Sequence, residues 1–220
     1  MNVNGVPVFV INRNRLASTK QLIDWLLKSA TEKITILDNE STYPPLLAYY
    51  KALPQGVSVR DIGGNLGPGD FWAKQWHLRQ DMPYVISDAD CVPSIDCPQD
   101  LIPMLLRLLE RFPHAGKVGA GLRIDNLPDC YGKKAAVLSW EARFWQRRAC
   151  LKAFYAAVDT TFALYPARGV FCNHDGNLRT DAPYLVEHVP WYADSRHLTE
   201  EEQYYKEHTS ASWSSWYTVF

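Results

Sequence analysis

A chain of 220 residues with 47% apolar, 21% charged and 13% aromatic residues has room for one large α/β domain and a sizeable core, or at most two small domains. Its 23 Lys and Arg against 24 Asp and Glu leave a net charge of −1, which excludes the strongly basic footprint of a nucleic-acid-binding domain. Five cysteines without a C-x-x-C pair speak against a disulfide framework or a structural zinc site and fit reduced thiols in a cytoplasmic setting.

No apolar run nears the roughly 20 residues that a membrane span needs. The apolar run 6–11 is short and is followed, not preceded, by Arg13 and Arg15, so it does not read as a signal peptide. It reads instead as a buried strand. Ser18 with Gln21 forms a capping box for a helix carrying Leu22, Ile23, Leu26 and Leu27. Residues 34–37 make a second strand, which runs into Asp38. Ser41 or Thr42 caps the next helix, with Pro44 in its first turn and Leu46, Leu47 and Tyr50 on one face. A third strand at 57–59 leads into the glycine-rich segment 63–69 and a helix expected over 70–79. Residues 84–87 form a fourth strand, ending at Asp88-Ala89-Asp90. Asp100 caps a helix over 101–112, where Pro103 sits among first-turn amides that need no intrahelical partner. A fifth strand spans 118–122. This alternation predicts a mostly parallel α/β sheet.

Beyond residue 122 the alternation fails. Residues 140–154 read as helix, 161–165 and 185–189 as strands, and 199–208 as a charged helix opened by Thr199-Glu200-Glu201-Glu202. The tail 210–220 carries Trp213, Trp216, Tyr217 and Phe220 and no charge. It lacks the Lys and Arg of an interfacial membrane helix and is too apolar to stay free in water, so it is expected to dock on its own domain or on an adjoining domain or subunit.

Asp88-Ala89-Asp90 is the motif with most chemical content. Two carboxylates flanking one residue at a strand end suit a hard divalent cation, which takes oxygen ligands, and ligands of open α/β sheets bind outside the carboxyl ends of strands. The plain alternative is a solvated acidic turn. Asp38 also follows a strand and is placed to accept from a nucleotide base or ribose, or else belongs to the capping of the next helix. Gly63-Gly64-Asn65-Leu66-Gly67 lacks both the G-x-G-x-x-G and the P-loop spacings, and it is either a close approach to a ligand or a tight turn. His188 is a candidate nitrogen ligand, although single histidines are more often structural. Asp159 enters an apolar strand, where a carboxylate must be paired or functional, and is a candidate general base or a partner of Thr160 and Thr161. Trp140, Trp145, Trp191, Trp213 and Trp216 suit stacking on sugars or plain core packing.

In order along the chain, V-P-V-F-V-I-N-R-N-R at 6–15, I-L-D-N-E-S-T-Y-P-P-L-L at 36–47, I-S-D-A-D at 86–90, D-T-T-F-A-L-Y at 159–165 and H-V-P-W-Y at 188–192 resemble the GT-A glycosyltransferases, especially family-2-like bacterial members and a chlorella-virus glycosyltransferase domain. The resemblance covers nearly the whole chain. It implies one GT-A domain over 1–220, with a nucleotide-sugar-binding half at 1–122 and an acceptor-binding half and tail at 123–220. It implies transfer of a sugar from a nucleotide-diphosphate donor, uridine favoured, to a glycan or other hydroxyl acceptor. Asn12, Arg13, Asp38 and Asn65 would lie around the donor with Asp88. Asp88, Asp90 and His188 would hold Mn2+ or Mg2+. Asp159 falls where inverting members place their base, although Val158-Asp159 replaces their usual acidic pair. Two other readings compete. A sugar nucleotidyltransferase would show a G-x-G-T-R-like loop after the first strand, which 6–15 lacks. A non-catalytic sugar- or nucleotide-binding module would not need Asp88, Asp90 and His188 together.

Overall fold

A computed structural model describes residues 5–74, 80–159, 161–170 and 172–209. A nine-stranded sheet forms its spine, in the order β3-β2-β1-β4-β10-β6-β11-β9-β8. β1 (Val8–Asn12), β2 (Ile34–Asp38), β3 (Val57–Asp61) and β4 (Tyr84–Asp88) are mutually parallel. β1 and β4 are apolar runs almost wholly buried, as a parallel sheet covered on both faces demands. β10 (Ala163–Tyr165) runs antiparallel between β4 and β6 (Val118–Gly119), and β11 (Leu178–Thr180), β9 (Ala153–Tyr155) and β8 (Arg148–Cys150) extend the sheet. A second sheet, β5-β12-β7, joins Cys91–Pro93, Leu185–His188 and Gly121–Leu122. Strands of the nine-stranded sheet come from both sides of residue 122.

Helices cover the spine. α1 (Ala17–Lys28) buries Leu22, Ile23, Trp25 and Leu26, and α4 (Leu101–Arg111) buries Leu101, Ile102, Leu105, Leu106 and Leu108, all in one core with Val8, Val10, Ile36 and Val85. α2 (Pro44–Tyr50), α3 (Pro68–Lys74), α5 (Lys134–Glu141) and α6 (Glu200–Glu207) are shorter. No helix among the described residues is long and apolar enough to cross a membrane.

Several expectations are corrected. Ser18 lies inside α1 rather than capping it; the helix begins after Leu16, whose amide donates with that of Ala17 to the Glu201 carboxylate, 3.0 Å each. α2 follows Tyr43, and the buried Asn14 carbonyl takes the amides of Thr42 and Tyr43 at 2.6 and 2.9 Å, so a side chain from another loop replaces the expected Ser41 or Thr42 cap. Leu47 faces outward. Asp100 stands at the N-cap of α4 without a capping hydrogen bond, its carboxylate accepting from Arg107 at 2.9 Å. The fifth strand is two short ones in different sheets, divided at Ala120. Gly119 and Gly121 on either side are jammed: a Cβ on the first would collide with a Val158 methyl, and on the second with the Thr180 carbonyl.

The helix expected at 140–154 is the end of α5, a 3-10 turn at Ala142–Trp145 and the β8–β9 hairpin. Pairing of β9 with β11 and edge-to-face packing of Trp145 on Phe154 (5.4 Å) overrule the local helical pattern. α6 is capped as expected, with Thr199 and Glu202 forming a reciprocal capping box. Residues 75–79 of the expected helix, and the tail 210–220, lie outside the described residues.

Candidate functional site

The order β3-β2-β1-β4 places a topological switch between β1 and β4, where an open α/β sheet leaves a crevice at its carboxyl edge. Register aligns the strand ends: Asn12 pairs with Asp38, Asp38 with Asp61, and Ile11 with Asp88. Asp88 thus ends β4 at the crevice. The turn after it is fixed by the Ala89 amide donating to the Ile11 carbonyl at 2.9 Å, and by the Val189 amide donating to the Asp90 carbonyl at 2.8 Å.

That second bond belongs to the β5–β12 pairing, in which Cys91 stands opposite His188. The consequence is a contact across almost a hundred residues: His188 Nε2 lies 3.7 Å from Asp90 Oδ2, each side chain 17% exposed. Burial lowers the pKa of His188, against the pull of Asp90, and thereby favours neutral imidazole, the metal-binding form. Its Nδ1 is buried without a hydrogen-bond partner among the described residues, and its ring packs on Trp191 at 4.8 Å. Asp88, Asp90 and Cys91 offer ligand atoms within 4.8 Å of one another. Cys91 is fully buried, and desolvation, reinforced by Asp90 and Asp88, holds its thiol protonated. It is therefore a poor ligand for a hard cation, and His188, beside Asp90, stands outside that group of three.

The remaining candidates fall in three places. Asn12 and Asp38 share a network with Tyr50, whose hydroxyl donates to Asp38 Oδ1 and accepts from Asn12 Nδ2, both at 2.9 Å. Asp38 Oδ2 accepts from the Ser41 amide at 3.1 Å. Burial, then Asp38, pushes the Tyr50 pKa up, so the phenol stays protonated. Asn65 is exposed on the glycine-rich loop, which Asn39 pins to the end of β2 through both the amide (2.7 Å) and carbonyl (3.1 Å) of Leu66. Arg13 is turned away from this network and donates to the His208 carbonyl at 2.7 Å, at the C-terminus of α6.

Asp159 is exposed and precedes β10, whose antiparallel pairing with β4 brings it toward the Asp88 end of that strand. Its backbone carbonyl accepts from the buried Lys117 at 3.2 Å, and Lys117 also donates to Tyr165 Oη at 3.1 Å. Burial brings the Lys117 pKa down to about 8.

Sequence reading gave no site role to Tyr50, Arg15 or Tyr205. In the sequence Tyr50 reads only as part of a helix face. The Arg15 guanidinium lies over the Tyr205 ring at 3.7 Å, and the fields of Asp90 and Asp88 reach that phenol. No short-range signal links residues so far apart.

No protein-family model and no curated protein sequence matches the chain. Among solved structures it is similar to a mannosyltransferase from Pyrobaculum calidifontis in complex with GDP-Man and Mn2+, with a TM-score of 0.55 at 14% identity over 93% of this chain and 65% of that one. The chain thus spans about two thirds of its neighbour's length. At that identity the likeness is one of fold: a mixed α/β protein with a large central sheet flanked by helices, in the architecture of a glycosyltransferase.

Proposed function

We propose that this chain is a cytoplasmic, metal-dependent GT-A glycosyltransferase that moves a sugar from a nucleotide-diphosphate sugar to a hydroxyl of a glycan or similar acceptor. The observation that carries the reading is Asp90 against His188 at 3.7 Å, at the switch point of a fold shared with a mannosyltransferase. Asp88, Asp90 and His188 are the residues that would hold Mn2+ or Mg2+, and a bound divalent ion there would neutralise charge developing on the diphosphate leaving group. Asn12 and Asp38 at the adjoining strand ends and Asn65 on the glycine-rich loop would receive the nucleoside. Arg13 would reach a donor only by releasing the His208 carbonyl. Asp159 would accept the proton of the acceptor hydroxyl.

Uridine remains the proposed base, with Asp38 as its contact. Guanosine is the second reading, favoured by the GDP-Man in the neighbour. The decisive experiment measures donor turnover and donor binding with and without Mn2+. Wild type is expected to bind a nucleotide sugar only with the metal, and Asp90→Ala to fold normally while losing transfer. Wild-type transfer by Asp90→Ala would overturn the metal assignment, and tighter binding of GDP-mannose than of any UDP-sugar in calorimetry would replace uridine by guanosine.

A further inference from the structure

A cleft of about 310 Å³ opens between the 3-10 turn at Ala142–Trp145, with the residues after it, and the outgoing end of β9. Arg143, Phe144, Arg147, Tyr155, Ala157 and Asp175 are among its lining residues. The two arginines are held by aromatic rings. Arg143 lies over Trp140 at 3.5 Å and over Phe144 at 4.6 Å, and Arg147 lies over Tyr155 at 4.6 Å. Stacking occupies the faces of a guanidinium and leaves its in-plane N–H donors for a ligand. Among the described residues neither arginine forms a salt bridge, whereas the next residue, Arg148, pairs with Asp181 at 3.0 Å. Asp175 offsets only one of the two positive charges on the cleft.

The cleft is built onto the reaction end of the fold. Ala157 is two residues before Asp159, at most ~7 Å along an extended chain. The Ala157 carbonyl accepts from Arg179 Nε at 2.7 Å, and Arg179 is ion-paired at 2.8 Å with the buried Glu141, next to the turn that carries Arg143. One buried pair therefore anchors both walls of the cleft and the approach to Asp159.

We infer that this cleft binds an oxyanion, a phosphate or carboxylate, carried by the acceptor. The inference rests on the transferase reading for the word acceptor, and on the cleft alone for the oxyanion. A guanidinium pair recognises either oxyanion by forked hydrogen bonds. An acceptor anchored there presents a hydroxyl of the same or the neighbouring sugar to Asp159. Acceptor choice is then set by charge as well as by sugar shape.

The test titrates the intact chain, without nucleotide or Mn2+, with glucose 6-phosphate, glucuronate and glucose as probes, followed by amide NMR shifts. Both charged probes are expected to saturate and to shift the amides of Gln146, Ala156 and Ala157, while glucose does neither. The stronger of the two identifies the oxyanion. Arg143→Gln/Arg147→Gln is expected to weaken charged-probe binding at least tenfold, and Asp90→Ala to leave it unchanged. If the double variant does not fold, Arg147→Gln alone decides, with an expected loss of at least threefold. Equal binding of all three probes, or unchanged binding by the arginine variants, overturns the proposal. With donor and Mn2+ present, glucose 6-phosphate should raise donor consumption above the level with glucose. Charged-probe binding that follows the arginines without any donor consumption would refute the transferase reading and leave the oxyanion site standing.

Discussion

Arg179→Met is the substitution whose cost the structure best defines. It removes the ion pair to Glu141 at 2.8 Å, the hydrogen bond to the Ala157 carbonyl at 2.7 Å and the stack over Phe144 at 3.9 Å. It strands Glu141, which is only 2% exposed. Breaking one half of a buried pair costs about 3–5 kcal/mol, because the other charge stays behind unpaired. With an unfolding entropy of about 2.1 cal/mol/K per residue, a chain of 220 residues should lose ~7–11 °C in Tm. The pair itself is not a net asset. Burial raises the pKa of Glu141 in spite of Arg179, and lowers that of Arg179 in spite of Glu141, so desolvation exceeds their attraction on both sides. Glu141→Leu/Arg179→Met should therefore melt well above the single variant and regain most of the loss. The deficit of Arg179→Met should be greatest at neutral pH and shrink as pH falls into the carboxylate range, where protonation discharges Glu141. Calorimetry or circular dichroism of the three proteins from pH 4 to 7 is the assay. A single variant melting within about 2 °C of wild type, or a double variant as labile as the single, would refute the reasoning.

Asp159→Asn should lower transfer roughly 10²–10⁴-fold while leaving donor affinity unchanged; near-normal turnover would make Asp159 structural. Lys117, buried and with its pKa brought down to about 8 from 10.5, sheds its proton in the folded state first, so stability should rise with pH above about 8. Between pH 8 and 9.5 the rise should be about 1.6 kcal/mol in urea unfolding. It should vanish in Lys117→Met, and a rise that persists in that variant would assign it to another group.

How much was legible in the sequence follows from the range of the forces involved. β1, β2 and β4 could be read because strands buried on both faces must be continuous apolar runs, and because each stops at a polar residue, Asn12, Asp38 or Asp88. Asp88 and Asp90 could be located for the same reason. The closeness of Asp90 and His188 was implied only by the resemblance and not by any local pattern, since it depends on β5, a strand of three residues that pairs across the molecule with β12. Ala120 gave no sign that the chain changes sheets there, because jamming at Gly119 and Gly121 involves Val158 and Thr180. At 140–154 the local pattern points to helix, and contact with β11 and the packing of Trp145 on Phe154 make the hairpin.

The clasp formed by α6 has a consequence for the order in which the protein is made. Glu201 holds the first amides of α1, the His208 carbonyl holds Arg13, and Tyr204 reaches Thr42 and packs on Tyr43. These contacts join residues 161 to 195 positions apart. On a ribosome adding about 5–20 residues per second, the loops after β1 and β2 therefore wait ~10–40 s for the segment that closes them. During that interval the α1 amides lack the Glu201 acceptor that the folded protein gives them. The N-terminal strands can pair early, but the loops at their ends are fixed only once residues 199–208 have been added.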